Sequence, residues 1–420
     1  MNVTWVLGYP TGHEQGSFLT VDLGGTNLRV CYITLPGSRD KEFEVDQQKY
    51  KLPNEIKSGT AEQLWDFLSD CLQKFVEEKG LKGTKKEPIY LGFTFSYPAL
   101  QEYIDHGILQ TWTKGFDIKG VEGENAAGQL QEALDKRQLP IKMIALINDT
   151  TGAMIASAYK DPKTIMGVIF GTGCNGAYME QCGKITKLKD SGLPSDTLMA
   201  INCEYGAFDN ARRVLPLTPY DEAVDRDSPR PGEQAWEKMS AGLYLGEIFR
   251  LVLVDLAEKG LVFKDQDTTK LREAYALDTG ALSAIEDDES PKLSETRTLF
   301  KDVLSLDITE PELELCRRLA ELIAVRGARL CACGVAAICS RNQISSGHVA
   351  ADGSVANKHP KFKRRWGKAL GELLDWPKDQ GEDPVVLTSA EDGSGIGAAV
   401  IAAMTLERAE KGQRAGIRSF

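Results

Sequence analysis

VDLGGTNLRV, residues 21–30, opens on the end of an apolar run over 18–21, then sets a carboxylate, Asp22, ahead of Gly24, Gly25 and Thr26. A second apolar stretch follows at 30–33. FLTVDL and LRVCYI therefore read as two short strands around a glycine turn. Glycine lets a backbone adopt positive φ and come close to a ligand, and successive N–H groups in such a turn form a concavity suited to an anion. The plan returns far along the chain, where GVIFGTGCNGAYM (167–179) again places a Gly/Thr turn between apolar strands. A tight hairpin, with Asp22 accepting turn amides, is the plainer reading of either stretch alone. The recurrence predicts two lobes with related cores and a cleft between them.

Around these hairpins, strand and helix signals alternate, which indicates an α/β fold. AEQLWDFLSDCLQKFVEEKG (61–80) sets Leu64, Trp65, Leu68, Cys71, Leu72, Phe75 and Val76 on one helical stripe. IYLGFTFSYP (89–98) reads as a strand, and IKMIALINDTTGAMIASAY (141–159) as a strand running into a helix with Asn148 and Asp149 at the junction. Residues 235–260 and 312–341 are expected as long core helices. The acidic segment 284–296 is expected as a surface loop, and the basic run KFKRRWGK (361–368) as a solvated helix face rather than a nucleic-acid patch.

The 420 residues suffice for two or three domains with sizeable cores. A net charge of −11 argues against a general binder of nucleic acid or anionic membrane. Nine cysteines in apolar surroundings read as reduced core thiols of a cytoplasmic protein. No apolar stretch is expected to approach the length of a membrane span, and the first residues have no signal-peptide core.

The two turns suit phosphate oxygens, with Thr26 and Thr172 adding hydroxyl donors. Asp22 can approach a phosphate favourably only through a cation, which implies Mg²⁺ held through water. GTGCNG (171–176) matches the dinucleotide pattern, but that fingerprint needs a helix after the turn, and AYMEQ looks like a strand. No G-x-x-x-x-G-K-[ST] loop and no protein-kinase loops occur. Asp149 reads either as a helix N-cap or as a general base for an attacking hydroxyl. Ser96, Thr113, Lys114, Asn175, Glu204 and Glu237 together form a plausible hydrogen-bonding set for a polyhydroxylated ligand.

These segments resemble the hexokinase family, most closely its fungal members. VDLGGTNLRV is similar to the family's first phosphate motif, and LGFTFSYPALQEYIDHGILQTWTKGF (91–116) to its sugar-binding signature. LINDTTG, GVIFGTGCNGAYME, INCEYGAFDN and SPRPGEQAWEKM follow in family order. HVAADGSVANKHPKF (348–362) resembles the adenosine region, and AEDGSGIGAAVIAA (390–403) the start of the C-terminal helix.

The resemblance implies a two-lobed actin-like ATPase (ribonuclease H-like) fold with a central cleft. Residues 16–147 and 390–420 would form the small lobe, and 1–15 and 148–389 the large one. It implies transfer of the ATP γ-phosphate to the 6-hydroxyl of glucose and related hexoses by a monomer or weak homodimer. Asp149 would be the base, with Lys114 supplying positive charge beside the reacting hydroxyl. Ser96, Tyr97, Thr113, Lys114, Asn148, Asn175, Glu204 and Glu237 would hold the sugar. Asp22, Leu23, Gly24, Gly25, Thr26, Asn27 and Thr172 would hold phosphates and Mg²⁺. Lys49, Gly242, Ser283, Gly353 and Ser354 would surround the nucleotide.

Relatives in that family usually carry a longer helical segment ahead of the first strand. Gly280 and Ala281 stand where bulkier family residues are common, Ala356 where an aromatic is common, and Val325 where Thr is common. These differences predict looser ATP binding with the chemistry retained. The competing expectations are a glucose-sensing regulatory protein with weak or absent turnover, and an actin-like ATPase that hydrolyses ATP without sugar.

Overall fold

The computed structural model describes the chain except Gly25, Thr26, Lys114, Pro360, residues 378–380, Glu391, Ser419 and Phe420. Its five-stranded sheet runs Glu44–Lys51, Asn27–Pro36, Gln15–Leu23, Ile89–Phe95, Ile141–Ile147. The first three strands pair antiparallel, and the last two join in parallel. The six-stranded sheet runs Asn2–Leu7, Leu198–Asn202, Cys174–Gln181, Thr164–Phe170, Gly347–Asp352, Val385–Ser389. Setting aside the edge strand Asn2–Leu7, it repeats the same plan: three antiparallel strands around the glycine turn, then two parallel ones. The repeat read from the two hairpins thus extends to the whole sheets.

Each sheet has its own apolar core. In the first, the expected helix is Ala61–Glu78, and the seven stripe residues are all buried. Its start is fixed by a capping box in which Thr60 and Gln63 bond reciprocally. A third core lies between the sheets, where helices Asp149–Lys160 and Gly393–Glu410 cross. Gly152 and Gly397 meet there so closely that a Cβ on Gly397 would lie 2.1 Å from the Gly152 carbonyl oxygen.

Four expectations need correction. Residues 235–260 form two helices, Ala235–Ser240 and Leu245–Glu258, because the Gly242 N–H leaves the helical ladder to donate to Gly171 O at 2.7 Å. Segment 284–296 is no solvated loop: Glu286, Asp288 and Thr296 are buried. Asp288 accepts from the N–H and hydroxyl of Thr296, and Glu286 is surrounded by cations. The basic run belongs to a helix, Phe362–Leu373, that buries Phe362 and Trp366 and turns Arg365 inward. Finally, helix Glu310–Asn342 is long and apolar enough to cross a membrane, yet 56% of its most apolar window is buried within the molecule, where it serves as a core helix.

Candidate active site

Strand Ile141–Ile147 ends at Asn148, whose Oδ1 accepts from the Thr150 N–H at 3.0 Å and from the Thr150 hydroxyl at 2.6 Å. Asn148 is therefore the cap of helix Asp149–Lys160, and Asp149 is its first residue, so Asp149 does not serve as N-cap. One cavity is lined by Asp149, the expected base, and by Ser96, Thr113, Asn148, Asn175, Glu204 and Glu237, six of the residues expected to hold the sugar. Tyr97 is buried in a cluster of rings with Phe95, Trp112 and Phe116 and does not line that cavity. Lys114 lies outside the described residues.

The polar side chains of this cavity are held by one another. The Asn175 amide donates to Asn202 Oδ1 at 2.8 Å and to Glu204 Oε1 at 3.3 Å, while the Asn202 amide donates to Glu204 Oε1 at 2.7 Å. Asn175 Oδ1 accepts from the N–H groups of Gly176 and Glu204. Glu237 accepts from the Cys174 N–H at 2.9 Å, which ties helix Ala235–Ser240 to the second hairpin. Glu204 and Gln234, both lining residues, have φ of 50° and 55°. A non-glycine residue in the left-handed region costs about 1–3 kcal/mol and persists where its surroundings over-determine it. Packing and hydrogen bonds hold the carboxylate of Glu204 in place at that cost.

In the first hairpin Asp22 Oδ2 accepts from the Ser394 hydroxyl at 2.6 Å and lies 3.4 Å from the Arg29 guanidinium, which also binds Ser394 and Asp392. The start of the C-terminal helix thereby orients the Asp22 carboxylate. Asp352, at the end of its strand, is pushed above its ordinary value by burial and by the negative charges of Asp149 and Asp22, against the Gly353 N–H and Arg29. Carboxylates from both sheets therefore share one electrostatic neighbourhood. Leu23 is fully buried, so only its backbone is available to a ligand. Gly24 closes the turn by donating to Asn27 O at 3.2 Å. Gly25 and Thr26 lie outside the described residues.

A second and larger cavity, about 530 Å³, is lined by Thr172, Gly242, Ser283 and Ser354 among others. Its rim is made of backbones at contact distance. A Cβ on Gly242 would lie 2.9 Å from Gly171 O, and one on Gly353, where φ is 110°, would lie 2.6 Å from Phe170 O. Gly353 thus borders the cavity without lining it. Lys49 is exposed on the edge strand Glu44–Lys51, opposite Arg29, and is not among the lining residues.

Models of the hexokinase family match residues 1–159 and 165–404. A hexokinase of Emericella nidulans is 58% identical, the alignment covering 100% of this chain and 85% of that one. The chain belongs to the hexokinase family. Hexokinase-1 of Saccharomyces cerevisiae is 52% identical over 98% of this chain and 85% of its own length. A solved hexokinase of Schistosoma mansoni complexed with glucose superposes with a TM-score of 0.87 at 38% identity, covering 96% of this chain and 88% of that one. The two-lobed actin-like ATPase fold that the family resemblance implies is the fold of this hexokinase-family chain.

Sequence reasoning missed Asn202, Gln234, Arg29, Asp352 and the cations around Glu286. Asn202 stands in the quoted INCEYGAFDN and Gln234 in SPRPGEQAWEKM, each within three residues of a chosen carboxylate. The available signal was a polar residue close to a site carboxylate, at the end of an apolar strand for Asn202 and just ahead of a helix for Gln234. Arg29, on a strand whose alternate residues are buried, carried a similar one.

Proposed function

We propose that this hexokinase-family chain transfers the γ-phosphoryl group of ATP to the 6-hydroxyl of glucose and related hexoses. The observation that carries the reading is the single cavity that gathers Asp149 with Ser96, Thr113, Asn148, Asn175, Glu204 and Glu237 from distant segments. Carboxylates and amides fixed by mutual hydrogen bonds suit the hydroxyls of a sugar ring, because the carboxylates accept from hydroxyls and the amides both accept and donate without rearranging. Asp149 takes the proton of the 6-hydroxyl as that oxygen bonds to the γ-phosphorus and the bond to the β-phosphate oxygen breaks, releasing ADP. Lys114 keeps the role that the family resemblance implies for it.

The larger cavity fits an adenosine. Its 530 Å³ is within the usual range for such ligands, and its glycine rim allows the close backbone approach that phosphates need. The carboxylate of Asp22, oriented by Ser394 and Arg29, suits a hard cation through water. When bound, Mg²⁺ supplies charge neutralisation to the triphosphate. Asp22 and the two turns orient the phosphates, and the cavity walls exclude water that would compete with the sugar. Nine free thiols, eight of them buried, support a reducing cytoplasmic setting.

Coupled measurement of ADP release across glucose, fructose, mannose and N-acetylglucosamine tests this reading. Turnover dependent on glucose is expected. Glucose binding without turnover at saturating Mg-ATP would replace it with the regulatory reading, and sugar-independent hydrolysis would remove the hexose from the reaction.

A further inference from the structure

Glu286 lies in the last turn of helix Thr279–Asp287 and is 3% exposed. Arg365 Nη1 donates to its Oε2 at 2.9 Å, Arg365 Nη2 to its Oε1, and His359 Nε2 lies 3.1 Å from Oε2. Lys361 donates to the Glu286 carbonyl at 3.2 Å and lies 2.8 Å from Asp287 Oδ1, so a cation also covers the C-terminus of this helix. Arg365 in turn lies 3.8 Å from Glu321 on helix Glu310–Asn342.

These contacts join the walls of the larger cavity. Gly280 and Ser283 line it from the Glu286 helix, Ala324 and Ala328 from the Glu321 helix, and Phe362 and Arg365 from the third. Buried ion clusters of this kind stabilise a fold little better than packed apolar residues would, because desolvation offsets the attraction. What they supply is a fixed geometry: removing one partner leaves the others charged and out of place. Without Glu286, the Arg365 guanidinium has its lining position but no buried anion to hold it against the wall.

We infer that Glu286 is a positioning residue for the nucleotide, setting the width of its cavity by pinning three helices through Arg365, His359 and Lys361. This rests on the assignment of that cavity to ATP. Calorimetric titration with ADP, and separately with glucose, tests it alongside the coupled assay. Glu286→Gln should weaken ADP binding and raise the ATP KM roughly tenfold, while glucose affinity and kcat at saturating ATP stay within about twofold of wild type. Glu286→Asp, which keeps the charge, should recover part of the ADP affinity. Ser283→Trp fills the cavity from a partly exposed position and should abolish ADP binding.

Wild-type ADP affinity in Glu286→Gln, with ADP binding lost in Ser283→Trp, would overturn the role of Glu286 and leave the cavity assignment standing. Unaltered ADP binding in Ser283→Trp would overturn the assignment itself. Should Glu286→Gln not fold, Lys361→Met decides. Lys361 does not line the cavity, and its loss should weaken ADP about threefold; wild-type affinity there would overturn the inference.

Discussion

Replacing Gly397 by Ala tests the joint on which both halves of the site depend. The added Cβ would lie 2.1 Å from Gly152 O and 2.4 Å from Gly152 Cα, both backbone atoms that no rotamer change can move. Restoring ordinary contact near 3.4 Å requires the two helices to separate by about 1.3 Å. Overpacking of this kind costs about 2–3 kcal/mol, whereas the gain in helix propensity from Gly to Ala is about 1 kcal/mol. The steric term wins, and the variant should be less stable by roughly 1–2 kcal/mol. One helix carries Asp149 at its start and the other begins beside Asp22 through Ser394. A shift near 1 Å at that crossing should lower kcat about 100-fold. Thermal unfolding followed by circular dichroism should show a transition lowered by roughly 3 °C, and the coupled assay should show the loss of turnover. A Gly397→Ala protein with wild-type melting and kcat would refute the contact geometry and the reasoning built on it.

Asp149→Asn should lower kcat roughly 1,000-fold while glucose binding is retained, since the amide keeps the shape but accepts no proton; near-normal turnover would remove Asp149 as base. Asn202→Ala removes a donor to Glu204 and an acceptor from Asn175, and should raise the glucose KM about tenfold with a smaller effect on kcat; an unchanged KM would show that neither side chain needs it. Burial opposes ionisation of Glu286, but the close approach of His359 and the hydrogen bonds and charge of Arg365 outweigh it and hold the carboxyl at about 2 against an ordinary 4.5. Its folded value is depressed, so its contribution to stability is present above pH 4.5 and is lost as pH falls toward 2. Acid unfolding should therefore be less steep over that window for Glu286→Gln than for wild type, and identical acid limbs would contradict the burial and pairing described.

Much of the architecture was legible because it rests on local periodicity and turn chemistry. The stripe from Leu64 to Val76 and the two glycine hairpins are readable without knowing what they pack against. Asn148 and Asp149 were located correctly at the junction, but which of them caps the helix depends on where the backbone leaves the extended conformation, which is at Asn148 with ψ of 153°. The misreadings share a cause. Gly242 looks like a tolerated residue within an apolar helix until its N–H is seen to bond Gly171, a partner 71 positions away. Glu286, Asp288 and Arg365 look solvated because charge signals surface. The pairing of Glu286 with Arg365 across helices, and the bonds that Asp288 accepts from Ser290 and Thr296, are what permit their burial. Convergence of the sugar-cavity residues was likewise invisible in spacing, since it follows from the return of the second sheet against the first.

The reading rests on two hairpins meeting around one triphosphate, with a sugar alcohol beside Asp149. The most direct measurement is a crystal structure with glucose, Mg²⁺ and a non-hydrolysable ATP analogue. The expected result is a nucleotide seated beside Ser283 and Gly242, its phosphates running between the Thr172 and Asp22 turns, and the sugar 6-hydroxyl within hydrogen-bond reach of Asp149. A γ-phosphate directed away from Asp149, or a sugar bound outside the cavity of Asn175 and Glu204, would contradict it.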